Sequence, residues 1–220
     1  MRFGLPAIDG FVPAGGLLPA ALHEFSGAGG NTEHGTPPAQ LIAALSAQCP
    51  GPVVWVVDRD PPYAPSFAGC GLGPDRVIYA AAGKAVLGVM DDCLRHPSLA
   101  VVVGKVSGRL GLTASRRLRL AAESSGVTAF VLRRSLVHDD PVLREPTAAL
   151  TRWRIACVWS PLTLPHAPEV PGVGRVHWRI ELQRARGGQP GRTARSGGGC
   201  CSGRQLRYPP SSPRGGVSCV

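Results

Sequence analysis

Leu22-His23-Glu24-Phe25-Ser26-Gly27-Ala28-Gly29-Gly30, followed after Thr36-Pro37-Pro38 by the run Ala39–Gln48, is the stretch that decides the fold. Leu22–Phe25 reads as a short strand running into a glycine-rich turn. Thr36 offers a helix N-cap with proline in the first turn. Leu41, Ile42 and Leu45 then recur on one side, the spacing of a helix buried along one face. Strand, glycine-rich turn and helix in this order are the topology of a phosphate-binding loop. In such a loop backbone N–H groups surround the phosphates, a lysine contacts the β and γ phosphates, and a Ser or Thr holds magnesium. Here the decisive side chains are missing: no lysine precedes Lys84, and no Gly-Lys-Ser/Thr triplet occurs. Glu33 and Pro37-Pro38 stand where positive charge and free N–H donors are wanted, and each proline removes a donor. Gly27, Gly29 and Gly30 are therefore read as a vestigial phosphate loop, with no cofactor expected.

Outward from this unit, strand and helix signals alternate. Val53–Asp58 is a continuous apolar run ending in an acid, as expected of a central parallel strand covered on both faces. Val77–Ala81 reads as a strand and Lys84–His96 as a helix with Val86, Leu87, Met90, Cys93 and Leu94 on its apolar side. Leu99–Val106 is another buried strand. Its apolar run Leu99–Val103 leads into Gly104-Lys105 where a magnesium-binding acid is wanted. Thr113 is expected to cap a helix over Ala114–Ser125, which Gly126 ends, and Val127–Leu132 follows as a strand. The alternation implies βαβ crossovers and a mostly parallel sheet. After about residue 135 the pattern changes. Arg152–Trp159 and Arg175–Gln183 alternate as half-covered strands, the second with Val176, Trp178, Ile180 and Leu182 inward, and predict an antiparallel extension of the sheet. The segment 135–151, with His138-Asp139-Asp140, reads as a mobile loop and not as a metal cluster. Gly69–Gly73 reads as a turn.

The whole composition narrows the classes further. The chain has 220 residues, 44% of them hydrophobic, enough for one buried core with an appendage. All fourteen acidic residues precede Gly187 and five arginines follow it, so the tail supplies half of the formal charge of +10. Residues 1–186 are expected to form the core, with 1–21 as a lead-in and 135–186 as a loop plus antiparallel strands. Residues 187–220 are expected to be a basic, disordered tail, because Gly, Ser, Pro and Arg cannot bury enough apolar area to offset chain entropy. The apolar runs are too short to span a bilayer. Seven cysteines without a CxxC pair suggest free thiols in a cytoplasmic protein, those of the body buried.

Leu5-Pro6-Ala7-Ile8-Asp9, Gly15-Gly16-Leu17-Leu18-Pro19 and Leu22-His23-Glu24-Phe25 together resemble the lead-in to the phosphate loop of RecA-type proteins, and most closely the ImuA family of bacterial mutagenesis proteins. Leu99–Gly104, Leu112–Leu118, Ala121–Val127 and Trp178–Leu182, with Arg184, Arg186 and Pro190-Gly191, are similar to the same family, over roughly residues 1–191. The resemblance implies a RecA-like, non-catalytic protein of the SOS response. Its partners would be ImuB, a Y-family polymerase relative, and an error-prone DnaE-type polymerase in translesion synthesis. By the same likeness Asp60 falls near the place of a catalytic glutamate, and Arg133-Arg134 where RecA carries a glutamine switch. After Gly191 the chain departs from the family, which continues with another strand.

The binding candidates are arginines. Arg116, Arg117 and Arg119 lie on the polar side of a predicted helix, either as a DNA- or partner-binding patch or as a solvated face. Arg133 and Arg134 end a strand on the side where α/β sheets place ligands. Arg152, Arg179, Arg184 and Arg186, with Arg154 and Arg175, offer a basic sheet face to partners or single-stranded DNA, above Trp153, Trp159 and Trp178 as core anchors. A residual ATPase and a direct single-stranded DNA-binding module remain the alternatives to an adaptor.

Overall fold

A computed structural model describes residues 1–30, 34–135, 137, 140–159, 166 and 176–186, and the backbone alone of 192–197. Eight strands form one sheet: β1 Leu22–Gly27, β2 Val53–Val57, β3 Val77–Ala81, β4 Val101–Ser107, β5 Thr128–Arg134, β6 Thr151–Val158, β7 His177–Ala185 and β8 Arg192–Gly197. Their order is β3-β2-β4-β5-β1-β6-β7-β8. Strands β3 to β6 are all parallel through β1, whereas β7 and β8 run antiparallel. The helices are α1 Pro6–Asp9, α2 Thr36–Ala47, α3 Pro65–Ala68, α4 Val86–Leu94 and α5 Leu112–Ser125. This is the expected α/β architecture, a mostly parallel sheet flanked by helices with an antiparallel end. None of the described helices is long and apolar enough to cross a membrane.

Each face of the sheet carries its own core. On one face α2 and the lead-in, through Phe3, Leu5, Ile8 and Leu17, cover Phe25, Trp55, Phe130, Trp153, Trp178 and Leu182. On the other, Met90 and Leu94 of α4 and Leu118 and Ala122 of α5 cover Val54, Val56, Val102 and Val131. The central strands are covered twice, which is why β2 reads as an unbroken apolar run with all five residues buried. Among the strands whose side chains are described, β7, covered on one side, keeps the cleanest alternation.

Several local expectations change. Gly35, not Thr36, is the N-cap of α2, with no side-chain cap bond. Thr36, Pro37 and Pro38 open the helix, where the missing proline donors have no intrahelical partner to lose. Likewise Gly111 caps α5, so Thr113 lies inside the helix, while Gly126 ends it at φ +82° as expected. Trp159 is 85% exposed and Val176 50% exposed, because both lie beyond the strand ends and leave the sheet's cover. Cys70 is buried, but Cys49 and Cys93 are half-buried and Cys157 is exposed near the outer end of β6. Within the stretch expected as a tail, Arg192–Gly197 pairs with β7 as an added strand. Backbone hydrogen bonding to an open sheet edge needs no apolar pattern, so periodicity carried no signal there. Glu33, His138, Asp139, residues 160–165 and 167–175 and the tail after 197 lie outside the described residues.

At the sheet's N-terminal end His23 is fully buried. Its Nε2 lies 2.8 Å from the Leu18 carbonyl oxygen, and its Nδ1 lies 2.8 Å from Thr151 Oγ1. A carbonyl only accepts, so Nε2 carries the hydrogen and neutral Nδ1 accepts from the Thr151 hydroxyl. Thr151 Oγ1 in turn accepts from Trp153 Nε1 at 2.8 Å. Burial pushes the imidazole from 6.5 down to about 4, outweighing the Leu18 contact. The unfolded chain therefore binds the proton first, and stability is lost as pH falls from about 6.5 to about 4. The loss amounts to roughly 3 kcal/mol. Urea titrations at pH 7.5, 5.5 and 4 should show this decline, and His23→Gln should flatten it.

Candidate functional site

β1 delivers its C-terminal glycines to the place where a phosphate loop would open, but the loop is tied to β6. The Ala28 N–H donates to the Ile155 carbonyl at 2.8 Å, and Arg154 donates to the Ala28 carbonyl at 2.7 Å. The Cys157 N–H donates to His34 Nδ1 at 3.1 Å. A Cβ at Gly27 would stand 2.5 Å from the His34 carbonyl oxygen, so glycine is required for this close approach. The cavity beside Gly27, Ala28 and Gly29 is only about 40 Å3. The amide and the carbonyl of Ala28 are thus both engaged by β6, beside this small cavity.

Beneath the loop lies a feature that periodicity concealed. Glu24 is an acid inside the buried strand β1, 2% exposed. Its Oε1 accepts from Arg133 at 2.9 Å, and its Oε2 accepts from Arg152 at 3.2 Å and from the Thr147 hydroxyl at 2.7 Å. Arg133 also donates to the Gly108 carbonyl, and Arg152 to the Glu145 carbonyl. Arg184 donates to the Thr147 carbonyl at 2.8 Å. One carboxylate thus holds two strands and, through their guanidinium groups, the loops after β4 and β5. A register shift between Arg152 and Trp153 sets Arg184 opposite Arg152. Glu24 neutralises one of these facing cations and Thr147 engages the other, which permits a pairing that like charges otherwise disfavour.

The sequence candidates consequently separate. Arg133 and Arg152 are buried around Glu24 and present no surface to a partner. Arg117 is exposed but ion-paired at 2.9 Å with Asp91, which Arg95 also meets. Arg119 lies 3.6 Å from Glu123. Arg116, Arg179, Arg184 and Arg186 are exposed, the first on α5 and the others on or just after β7. The structure therefore gathers Arg133 and Arg152 into an internal network, which Arg184 joins from the surface through Thr147, and leaves Arg116, Arg117 and Arg119 on α5 and Arg179 and Arg186 at β7. The sequence signal for that network was an acid, Glu24, in the short strand leading into the glycine turn.

At the C-terminal edge of the sheet Lys105 is 9% exposed and donates to the Asp60 carbonyl at 2.6 Å, with Asp58 Oδ1 at 3.9 Å. Burial would raise the Asp58 carboxyl, but the Arg59 amide and the charges of Lys105 and Arg134 outweigh it and hold Asp58 below its ordinary value. Lys105 thus occupies the end of β4 as a cation, and Arg134 lines the same cavity from the end of β5.

The sheet order, the glycine turn between β1 and α2 and the antiparallel end define a RecA-like α/β protein. The chain superposes on the crystal structure of the RadB recombinase with a TM-score of 0.61 and 17% identity, covering 89% of this chain and 94% of that one. No family model matches the sequence. Two curated relatives, each called Protein ImuA and each from a strain of Caulobacter vibrioides, are 38% identical over 201 residues, 87% of this chain and 80% of theirs. The chain belongs to the ImuA family.

Proposed function

We propose that the protein is a non-catalytic, cytoplasmic accessory factor of SOS-induced, error-prone translesion synthesis. It serves as a RecA-like adaptor between an ImuB-like Y-family polymerase relative and a DnaE-type polymerase. Family membership is the observation that carries this reading. The glycine loop supports its non-catalytic part, because the loop has no lysine and Ala28 is engaged by β6 through both its amide and its carbonyl. A scaffold freed from nucleotide turnover contributes through its surfaces, here the exposed arginines of α5 and β7.

The test is co-purification of the full chain with each polymerase from the same organism. Retention of both is expected, and substituting Arg116, Arg179 and Arg186 together by glutamate should weaken it. Failure to retain either partner sinks the adaptor reading. The DNA-binding alternative predicts instead that the chain alone binds single-stranded DNA with steep salt dependence, lost in the same variant.

A further inference from the structure

The sheet ends on one side at β3, beyond which no described strand pairs. Edge strands are usually guarded by charges, proline or a bulge, because their free N–H and C=O groups invite another strand. β3 has none of these: it reads Val77-Ile78-Tyr79-Ala80-Ala81, and its register with β2 runs without a shift. The opposite edge, β8, carries Arg192 and Arg195. Ile78 is 50% exposed although it lies within β3.

The ladder fixes which backbone groups face outward. The Ala82 N–H donates to the Val57 carbonyl at 2.8 Å, so Ile78 and Ala80 turn their backbone groups towards β2. The Ala100 N–H donates to the Pro52 carbonyl at 2.9 Å, which turns the alternate residues of β2 towards β4 and agrees with this. Successive residues of a strand alternate sides, so Tyr79 presents both its N–H and its C=O to the open edge. The Val77 C=O and the Ala81 N–H flank them, while the Val77 N–H is bonded to the Pro74 carbonyl. These groups are self-complementary. When a second copy approaches antiparallel about a two-fold axis at Tyr79, the two Tyr79 residues exchange both bonds. Each Ala81 N–H then meets the Val77 carbonyl of the other copy. In that register Ile78 lies opposite Ala80, and Asp75 opposite Gly83, beside Lys84. Asp75 and Lys84 are exposed, and neither has an ion-pair partner among the described residues. Arg76, the other charge nearby, is turned inward onto the Ala47 and Gly51 carbonyls. A strand from another protein finds the same backbone groups but not these reciprocal charges, which favour a second copy.

We infer that β3 is a homotypic docking edge, through which two copies of this chain join antiparallel about Tyr79 into one continuous sheet. The strand is short, so the contact lies at the weak end of specific interfaces and forms as concentration rises. The inference is independent of the adaptor reading, because dimerisation is read on this protein alone, without either polymerase.

Sedimentation equilibrium of the full chain over about 1–500 µM tests it, and a reversible monomer–dimer equilibrium is expected of so small an interface. Ile78→Lys places a charge on the edge and should weaken the dimer at least tenfold, roughly, while the circular dichroism spectrum stays unchanged. Asp75→Lys and, separately, Lys84→Glu each turn both reciprocal attractions into repulsions and should weaken it roughly tenfold. An equimolar mixture of these two variants regains opposite charges at both ends of the paired strands. It should therefore associate about as tightly as the parent, a rescue that a contact elsewhere on the surface does not give. A monomer at every concentration overturns the inference. So does a dimer that Ile78→Lys or both charge reversals leave intact, or a mixture that associates no more tightly than its components. A chain that stays monomeric alone, yet loses a co-purified polymerase on Ile78→Lys, overturns it in favour of a strand from that partner.

Discussion

Replacing Glu24 by alanine should destabilise the protein by about 3–5 kcal/mol, because it leaves buried guanidinium groups without their counter-charge. Native domains are stable by only about 5–15 kcal/mol, so a large part of the folded population is at stake. The geometry makes the loss severe. Arg133 has a wholly buried side chain and Arg152 one only 10% exposed, so neither reaches bulk water without moving a loop. Burial pushes the Arg133 guanidinium below its ordinary value, and the Glu24 charge is the largest influence opposing it. Denaturant titration of Glu24→Ala measures the loss. A triple replacement of Glu24, Arg133 and Arg152 by apolar residues of similar volume should cost much less, since paired burial of ions carries its own desolvation penalty. If the single and triple variants are equally destabilised, shape and not charge holds this part of the sheet. The single variant should also loosen the loops after β4 and β5, which amide exchange at residues near Gly108 and Glu145 would show as lost protection.

Trp153→Ala should cost a comparable 3–5 kcal/mol, by a different cause. The indole is fully buried on the lead-in side of the sheet, with its ring 4.7 Å from that of Phe3 and tilted to it. Removing it opens a large cavity between β6 and the lead-in, where the backbone on both sides is fixed. It also removes the donor to Thr151 Oγ1, the hydroxyl that engages His23. Trp153→Phe keeps most of the volume and loses the donor, so its milder loss isolates the hydrogen bond. Chemical denaturation of both variants measures the two contributions. Equal stability of Trp153→Ala and the parent would mean that the lead-in contributes little to the core.

The strands and helices were largely legible because burial imposes a period on the residues that form them. Val77–Ala81 appears with the expected bounds, and α5 ends at Gly126 because a left-handed residue there is a local requirement. The errors fall where local and distant causes compete. Thr36 and Thr113 look like caps, yet the chain direction entering each helix places Gly35 and Gly111 there instead. Trp159 looks like an anchor, but a residue past the last rung of β6 has no second layer above it. The candidate site was less legible still. Arg133 and Arg152 read as surface cations because nothing in their own segments identifies Glu24, more than a hundred residues away, as their partner.

By itself the sequence determined a mostly parallel α/β sheet, the glycine turn after β1, the absence of a lysine from that turn and a resemblance to the ImuA family. Each follows from residue type, short-range spacing or direct likeness along the chain. Only the tertiary structure decided that the glycine loop is tied to β6, that two of the arginines neutralise a buried acid, and that Lys105 and Arg134 share a cavity. Those facts depend on which strands lie side by side, and hydrogen bonds and charges act across that neighbourhood over a few ångströms regardless of separation in the chain. The loop opposite β6 therefore announced itself by what it lacked, while the contacts that close it came from residues whose own segments gave no hint of it.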